Sequence, residues 1–228
     1  MSLTQPHIRL AVDAVVFGYM NKQLQLLLIR RNIEPFKGEW ALPGGLVLES
    51  ETLEEAVERE LLEETGLEIN YLEQLYTFGN PQRDPRNRVV SVTYFALVNP
   101  DQFGLTASTD AAEAQWFALA KLPNLAFDHT QIVDCAIQRL RAKLTYEPIG
   151  LNLLDPDFHF SDLERLYESI LGRKIERRNF RKKFIGFGIL AETTIHHSGK
   201  KGRPGTLFRF DVAKYKALKE KGILFEIR

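Results

Sequence analysis

Three carboxylates, Glu60, Glu63 and Glu64, stand at i, i+3 and i+4 in the run Arg59-Glu60-Leu61-Leu62-Glu63-Glu64-Thr65-Gly66-Leu67. On a helix that spacing gathers them on one face about 100° wide. Like charges so close repel one another and cost helix stability unless a cation neutralises them. Hard oxygen donors in that number suit Mg²⁺ or Mn²⁺, which can then bridge to phosphate oxygens. Arg59 can pair with Glu63 four residues on or with Glu51 across the preceding turn. Gly44-Gly45 leaves the backbone unhindered, so a carbonyl there can approach such an ion. Taken alone, the trio could equally be a solvated acidic helix face.

The elements that must position these groups are legible nearby. Thr52–Thr65 is expected to be helical: Thr52 and Glu55 form a capping box, and Gly66 sits where a left-handed C-cap belongs. Leu53, Ala56, Val57 and Leu61 recur at three and four and make one buried stripe. Leu10–Tyr19 and Gln23–Arg31 read as strands joined by the polar Met20-Asn21-Lys22. Pro35–Gly45 reads as loop with a short strand at Trp40–Leu42. Glu68–Gly79, Arg88–Val98 and Glu113–Leu119 follow as strands, and His129–Lys143 as a helix.

The 228 residues are comfortable for two domains, and a hydrophobic share of 44% can supply real cores. The formal net charge of zero conceals an asymmetry. Residues 1–145 carry 13 Lys and Arg against 19 Asp and Glu, and residues 146–228 carry 17 against 11. Opposite balances of six charges suggest different partners: metal ions for the acidic half, an anionic polymer for the basic half. Pro148, Gly150 and Pro156 mark a change of composition, so the boundary is placed near 146. The single Cys135 excludes an internal disulfide and a Cys-based zinc site. No stretch has signal-peptide character or approaches the roughly 18 apolar residues of a membrane span. A reducing cytoplasm and no membrane partner are therefore expected.

From Gly45 to Leu67 the sequence matches the Nudix box, G-x5-E-x7-R-E-U-x-E-E-x-G-U, at every fixed position. This resemblance implies an α/β fold, an α/β/α sandwich in which the box forms a loop–helix–loop beside a mixed sheet. It implies a substrate in which a nucleoside diphosphate is linked to another moiety, with a metal polarising the diphosphate and a water attacking phosphorus. By motif position Glu60, Glu63, Glu64 and the Gly45 carbonyl would hold the metal, and Glu51 and Arg59 would form a structural ion pair. One helix carboxylate, or an acid outside the box, would be the general base; Asp110 and Glu113, before the Trp116 strand, are the external candidates.

Ligand choice lies outside the box. Arg30, Phe36, Arg83 and Arg86 are candidate ligand-binding residues, because guanidinium groups grip phosphates bidentately and an aromatic ring can stack on adenine. Trp40 is a second stacking candidate. Pro81, 15 residues after Gly66, resembles a marker of ADP-ribose pyrophosphatases. An ADP-ribose-like nucleotide is the expected ligand.

The basic half continues with a helix at Ser161–Leu171, for which Ser161 and Glu164 supply a capping box, and a basic helix at Glu176–Phe184. Between Arg173 and Lys183 there are seven basic residues and one acid, Glu176. Arg177 and Arg181 align at i, i+4, as do Arg178 and Lys182, and Asn179 among them is the side chain type that reads adenine bidentately. Strand-like runs at Ile189–His196 and Thr206–Phe210 flank a loop holding Lys200, Lys201 and Arg203. Helix, basic helix and basic hairpin follow in the order of a winged helix-turn-helix, whose second helix enters the major groove of double-stranded DNA. A Nudix box joined to such a tail resembles the Nudix-related transcriptional regulators of NAD metabolism. That family implies an ADP-ribose sensor, a homodimer, and repression at a DNA operator. A housekeeping pyrophosphatase with a basic accessory tail is the alternative that the intact carboxylate trio keeps open.

Overall fold

The computed structural model describes residues 7–69, 72–100, 111–193 and 206–222. The chain divides into two compact units, Met1–Gly18 with Gln25–Ile137, and Tyr19–Leu24 with Gln138–Arg228.

In the first unit, β1 (Arg9–Met20) is buried without a break from Ala11 to Gly18. Unbroken burial marks a strand covered on both faces. It pairs in parallel with β6 (Val89–Val98) and antiparallel with β4 (Gly44–Leu46), with Asp13 opposite Gly44. β2 (Gln23–Arg31), β3 (Trp40–Ala41), β5 (Glu73–Phe78) and β7 (Ala111–Ala118) complete a mixed sheet with β3-β2-β1-β6-β5 as its main path. Val12, Ala14 and Val16 pack on Ala56, Val57 and Leu61 of α1 (Leu53–Thr65). The alternate β1 residues face the other way, where Asp13 meets His129, the first residue of α2 (His129–Lys143). Two helices on opposite faces of a mixed sheet make the expected α/β architecture.

The helix α1 has the ends its sequence specifies. Thr52 Oγ1 accepts from Glu55 N–H at 3.2 Å, Glu55 accepts from Thr52 N–H at 2.8 Å, and Gly66 takes φ 73°. Three boundaries differ from expectation. β5 begins at Glu73 rather than Glu68, β4 begins inside the segment read as loop, and β7 starts at Ala111 rather than Glu113, which pairs opposite Arg30.

The second unit holds β8 (Asp157–His159), α3 (Phe160–Leu171), α4 (Arg177–Phe187), β9 (Leu190–Thr193), β10 (Leu207–Phe210) and α5 (Val212–Glu220). β10 lies between β8 and β9, antiparallel to both. Phe160, Tyr167, Phe180, Phe184 and Phe208 are buried together with edge-to-face contacts, such as 5.0 Å between Tyr167 and Phe180. Such pairs add specificity to apolar burial. The capping expectation for α3 is corrected: His159 is the N-cap and its N–H is taken by Asp162 at 3.2 Å, leaving Ser161 inside the helix. The reason is β8, whose pairing to β10 keeps the chain extended through His159. α4 starts where Glu176 accepts from the N–H groups of Arg178 and Asn179, and it extends to Phe187 rather than Phe184.

Candidate functional site

The first unit opens a cleft of about 340 Å³ whose walls include Asp13, Arg31, Glu60, Glu64, Arg86 and Phe127. That volume lies within the range of small-ligand pockets. Its floor is the junction of β4 with α1. Glu64 is buried and accepts from Gly44 N–H at 2.9 Å. Gly45 lies so close to Glu60 that a Cβ there would collide with the carboxylate, and a Cβ on Gly44 would collide with the Val12 carbonyl. Close approach to backbone thus requires glycine at position 44, whereas at position 45 the glycine leaves room for the Glu60 carboxylate.

Burial pushes the Glu64 carboxyl up to about 8, and the neighbouring Glu60 and Asp13 add to this against the Gly44 N–H. Burial also raises Glu60, with Arg59 opposing. A proton or a cation must compensate such a pair of carboxylates. Arg59 organises the rim. It meets Glu51 at 2.7 and 2.9 Å, Glu60 at 2.9 Å and Glu63 at 3.3 Å. The hydrogen bond from Arg59 holds Glu51 down at about 2, helped by the Leu48 N–H.

The expected trio therefore divides. Glu60 and Glu64 line the cleft, whereas Glu63 turns toward Arg59. Among the described residues, no three His, Cys, Asp or Glu side chains converge as a metal-ligand set. The donors at the floor are nevertheless hard carboxylate oxygens with raised proton affinity, beside a backbone kept bare by two glycines. That chemistry fits a hard divalent cation.

The ligand candidates are redistributed. Arg31 lines the cleft, whereas Arg30 is absent from its walls and donates to the Gly38 carbonyl at 3.0 Å. Strand alternation explains this: Ile29 and Arg31 share the cleft face of β2. Arg83 lines the cleft but is buried in two ion pairs, to Asp13 at 3.1 Å and bidentately to Asp128 at 2.9 and 3.0 Å. Arg86 lines the cleft while pairing with Asp84 at 2.8 Å. Phe36 packs on Phe127 with ring centroids 4.8 Å apart, and it is Phe127 that faces the cleft, with Arg31 stacked 4.8 Å from its ring. Trp40 packs on Phe117 at 4.6 Å. Glu113 is exposed and is not among the cleft walls, and Asp110 lies outside the described residues.

Sequence reasoning missed Asp13, Arg31, Phe127 and His129. His129 is buried, accepts from Leu42 N–H through Nδ1 at 2.9 Å, and lies 3.5 Å from Asp13 through Nε2. Burial lowers its proton affinity, with Asp13 opposing. A lone Asp in the apolar run Leu10–Phe17 was the available signal, since a charge in a central strand needs a partner.

On the second unit, α4 exposes Arg177, Arg178, Asn179, Arg181 and Lys182, while Phe180 and Phe184 are buried. Arg177 reaches Glu164 at 3.7 Å. Arg181 stacks 4.6 Å from the Phe160 ring and 5.5 Å from that of Phe208. Arg178, Asn179 and Lys182 are the outward polar set. Lys200, Lys201 and Arg203 lie outside the described residues.

The NUDIX domain profile matches residues 7–139, and that of the NrtR DNA-binding winged helix domain matches residues 150–210. These matches, the mixed sheet and the box define the class of the molecule as a Nudix protein with a winged helix domain. The chain belongs to the Nudix family, in its NrtR branch. It is 37% identical over 214 residues to the ADPR responsive transcriptional repressor NtrR of Acinetobacter baylyi, covering 92% of this chain and 85% of that protein. It resembles the crystal structure of Shewanella oneidensis NrtR complexed with a 27mer DNA, with a TM-score of 0.78, 36% identity, and 91% and 95% of the two chains covered. The NUDIX domain of Shewanella oneidensis NrtR complexed with ADP ribose matches with a TM-score of 0.56 and 39% identity, over 61% of this chain and 93% of that one. Among the described residues, no helix is long and apolar enough to cross a membrane.

Proposed function

We propose that this protein is a transcriptional repressor whose Nudix domain (1–145) binds ADP-ribose or a close nucleoside diphosphate relative, and whose winged helix-turn-helix domain (146–228) binds a double-stranded DNA operator as a homodimer in the cytoplasm. The observation that carries the reading is one chain holding both a complete Nudix box on a cleft and a helix α4 that turns Arg178, Asn179 and Lys182 outward. Likeness over 92% of this chain and 85% of the ADPR responsive transcriptional repressor NtrR of Acinetobacter baylyi supports it.

In the cleft, Arg31 and Arg86 bring positive charge beside the face of Phe127. A diphosphate would meet the guanidinium groups and an aromatic base the ring. Glu60 and Glu64 would hold Mg²⁺ or Mn²⁺ at the floor, with the Gly45 carbonyl, and Glu63 would join them on leaving Arg59. A divalent metal, when bound, supplies Lewis-acid polarisation of the diphosphate and lowers the pKa of a bound water. Arg59 and Glu51 hold the loop before α1 against the helix. On DNA, phosphate contacts by Arg178 and Lys182 would supply affinity by counterion release, and Asn179 would read a base edge.

Hydrolysis of the ligand is a second reading, favoured by a box with no departure from the pattern. The test of the first is a DNA-binding assay on the chain's own upstream region with and without ADP-ribose: binding that responds to the ligand is expected. Glu63→Gln and Glu64→Gln test the second; both should abolish hydrolysis and weaken Mg²⁺ binding, and unchanged Mg²⁺ titrations would contradict the ligand assignment.

A further inference from the structure

The second compact unit has a basic depression of about 440 Å³ lined by Lys22, Arg165, Glu168, Ser169, Gly172, Arg173 and Lys174. Four cations face one carboxylate. That carboxylate is engaged, since Glu168 pairs with Lys174 at 2.8 Å and accepts from Ile175 N–H at 3.3 Å. Arg165 reaches Asp162 at 3.3 Å. Lys22 and Arg173 have no ion-pair or hydrogen-bond partner among the described residues. The simplest structural role for cations here is to complement the C-terminal end of α3. Arg141 already does so, donating to the Ile170 carbonyl at 2.8 Å.

Lys22 comes from far away in sequence, on the two-residue turn between β1 and β2. Tyr19–Leu24 belongs to the second unit, and the Leu24 N–H donates to Ser169 Oγ of α3 at 2.9 Å. Asn21 and Lys22 both take left-handed backbone, at φ 52° and 62°. Such a turn favours Asn-Gly, so the second position is one where lysine is conformationally costly and glycine is not. A strained residue at an unneutralised cationic site points to use of its side chain.

We infer that Lys22, Arg165, Arg173 and Lys174 form a phosphate station that grips the DNA backbone beside the groove entered by α4. Arg173 and Lys174 lie on the segment that leads through Ile175 to the N-cap Glu176, and the N-terminal turn of a recognition helix is the part that meets base edges. Phosphates flanking that contact lie next to the residues leading into the helix. The β1–β2 turn, within the Nudix sequence, thereby contributes a cation to the DNA surface. This rests on the DNA-binding reading proposed above.

The test uses the full chain and a mixed-sequence duplex about three helical turns long, with affinity measured across a salt series. Lys22→Gly should raise Tm, because the turn is relieved, while lowering the salt slope by about one. At 0.1 M salt, a slope change of about 0.9 per phosphate corresponds to about eightfold weaker binding. Arg173→Ala should weaken DNA binding likewise. A merely structural turn would give higher stability and unchanged DNA binding, which overturns the inference. Pyrophosphate titrated into both proteins separates the phosphate sources: loss of pyrophosphate binding in Lys22→Gly with DNA binding intact would assign the station to a free phosphate and overturn the DNA role. A wild-type chain that fails to bind the duplex at low salt overturns the DNA reading itself, an outcome distinct from wild-type binding that Lys22→Gly leaves unchanged.

Discussion

Arg59 closes on Glu51 through two hydrogen bonds, 2.9 Å from Nε and 2.7 Å from Nη2, and so ties the loop before α1 to the middle of the helix. The same guanidinium touches Glu60 and Glu63. One arginine thus fixes the loop and restrains two of the box carboxylates.

This pair makes a pH prediction. The folded Glu51 carboxyl sits at about 2, below its ordinary 4.5, because Arg59 bonds its charged form. A depressed carboxylate contributes stability above its unfolded pKa and loses that contribution as pH falls. The Nudix domain should therefore lose stability between about pH 4.5 and 2, and Glu51→Gln should flatten that part of the curve. Thermal melts across the acid range measure it; an unchanged slope in Glu51→Gln would separate the pair from acid sensitivity.

Glu64 carries the opposite sign. Burial holds its folded carboxyl at about 8, above 4.5. The metal-free domain is favoured by the protonated form below the unfolded value and loses that contribution as pH rises through about 8. A cation that takes up the carboxylate must displace the proton. Mg²⁺ affinity should rise about tenfold per pH unit below the folded pKa. Calorimetry in buffers of different ionisation enthalpy should register proton release. Glu64→Gln should remove the pH dependence along with most of the affinity.

Arg83 is predicted to matter for stability before it matters for ligand. It lies between Asp13 and Asp128, and removing it leaves two carboxylates without their cation. Breaking a buried pair by deleting one partner costs about 3–5 kcal/mol. Arg83→Ala should lower the denaturation midpoint of the Nudix domain accordingly, whereas Arg31→Ala should weaken ligand with little effect on the midpoint. The reverse pattern would restore Arg83 as a primary phosphate grip.

On α4, neighbours should separate in the same way. Arg178→Ala and Lys182→Ala should each lower the salt slope of DNA binding by about one, and Asn179→Ala should relax sequence preference more than affinity. Arg181→Ala removes a stack on Phe160 and Phe208 and should cost stability of about 0.5–1 kcal/mol. A salt slope that falls by one in Arg181→Ala with stability unchanged would reverse that assignment.

What the sequence disclosed was what is local. The caps of α1, the stripe of Ala56, Val57 and Leu61, and the basic exposed face of α4 follow from spacings of three and four residues. What it concealed depends on pairing between distant segments. Asp13 reaches the cleft because β1 lies beside β4 and β6, and His129 because α2 begins under that strand. Arg31 was chosen over Arg30 by the pleat of β2, a two-residue alternation whose phase the cleft alone sets. His159 replaced Ser161 as a cap because β8 is held by β10, whose paired residues begin at Leu207.

A switch requires that ligand in the Nudix cleft and DNA on the winged helix affect one another. For that, the ligand must bind the DNA-competent and incompetent states differently, typically by about 1–3 kcal/mol. Thermodynamic reciprocity then requires DNA to change ligand affinity by the same factor. The direct measurement is a pair of titrations with a hydrolysis-impaired variant such as Glu63→Gln, ADP-ribose into the free protein and into its complex with the upstream DNA. ADP-ribose should bind the complex more weakly than the free protein, by about 5-fold to 150-fold. Equal dissociation constants in the two titrations would contradict it and leave two independent activities on one chain.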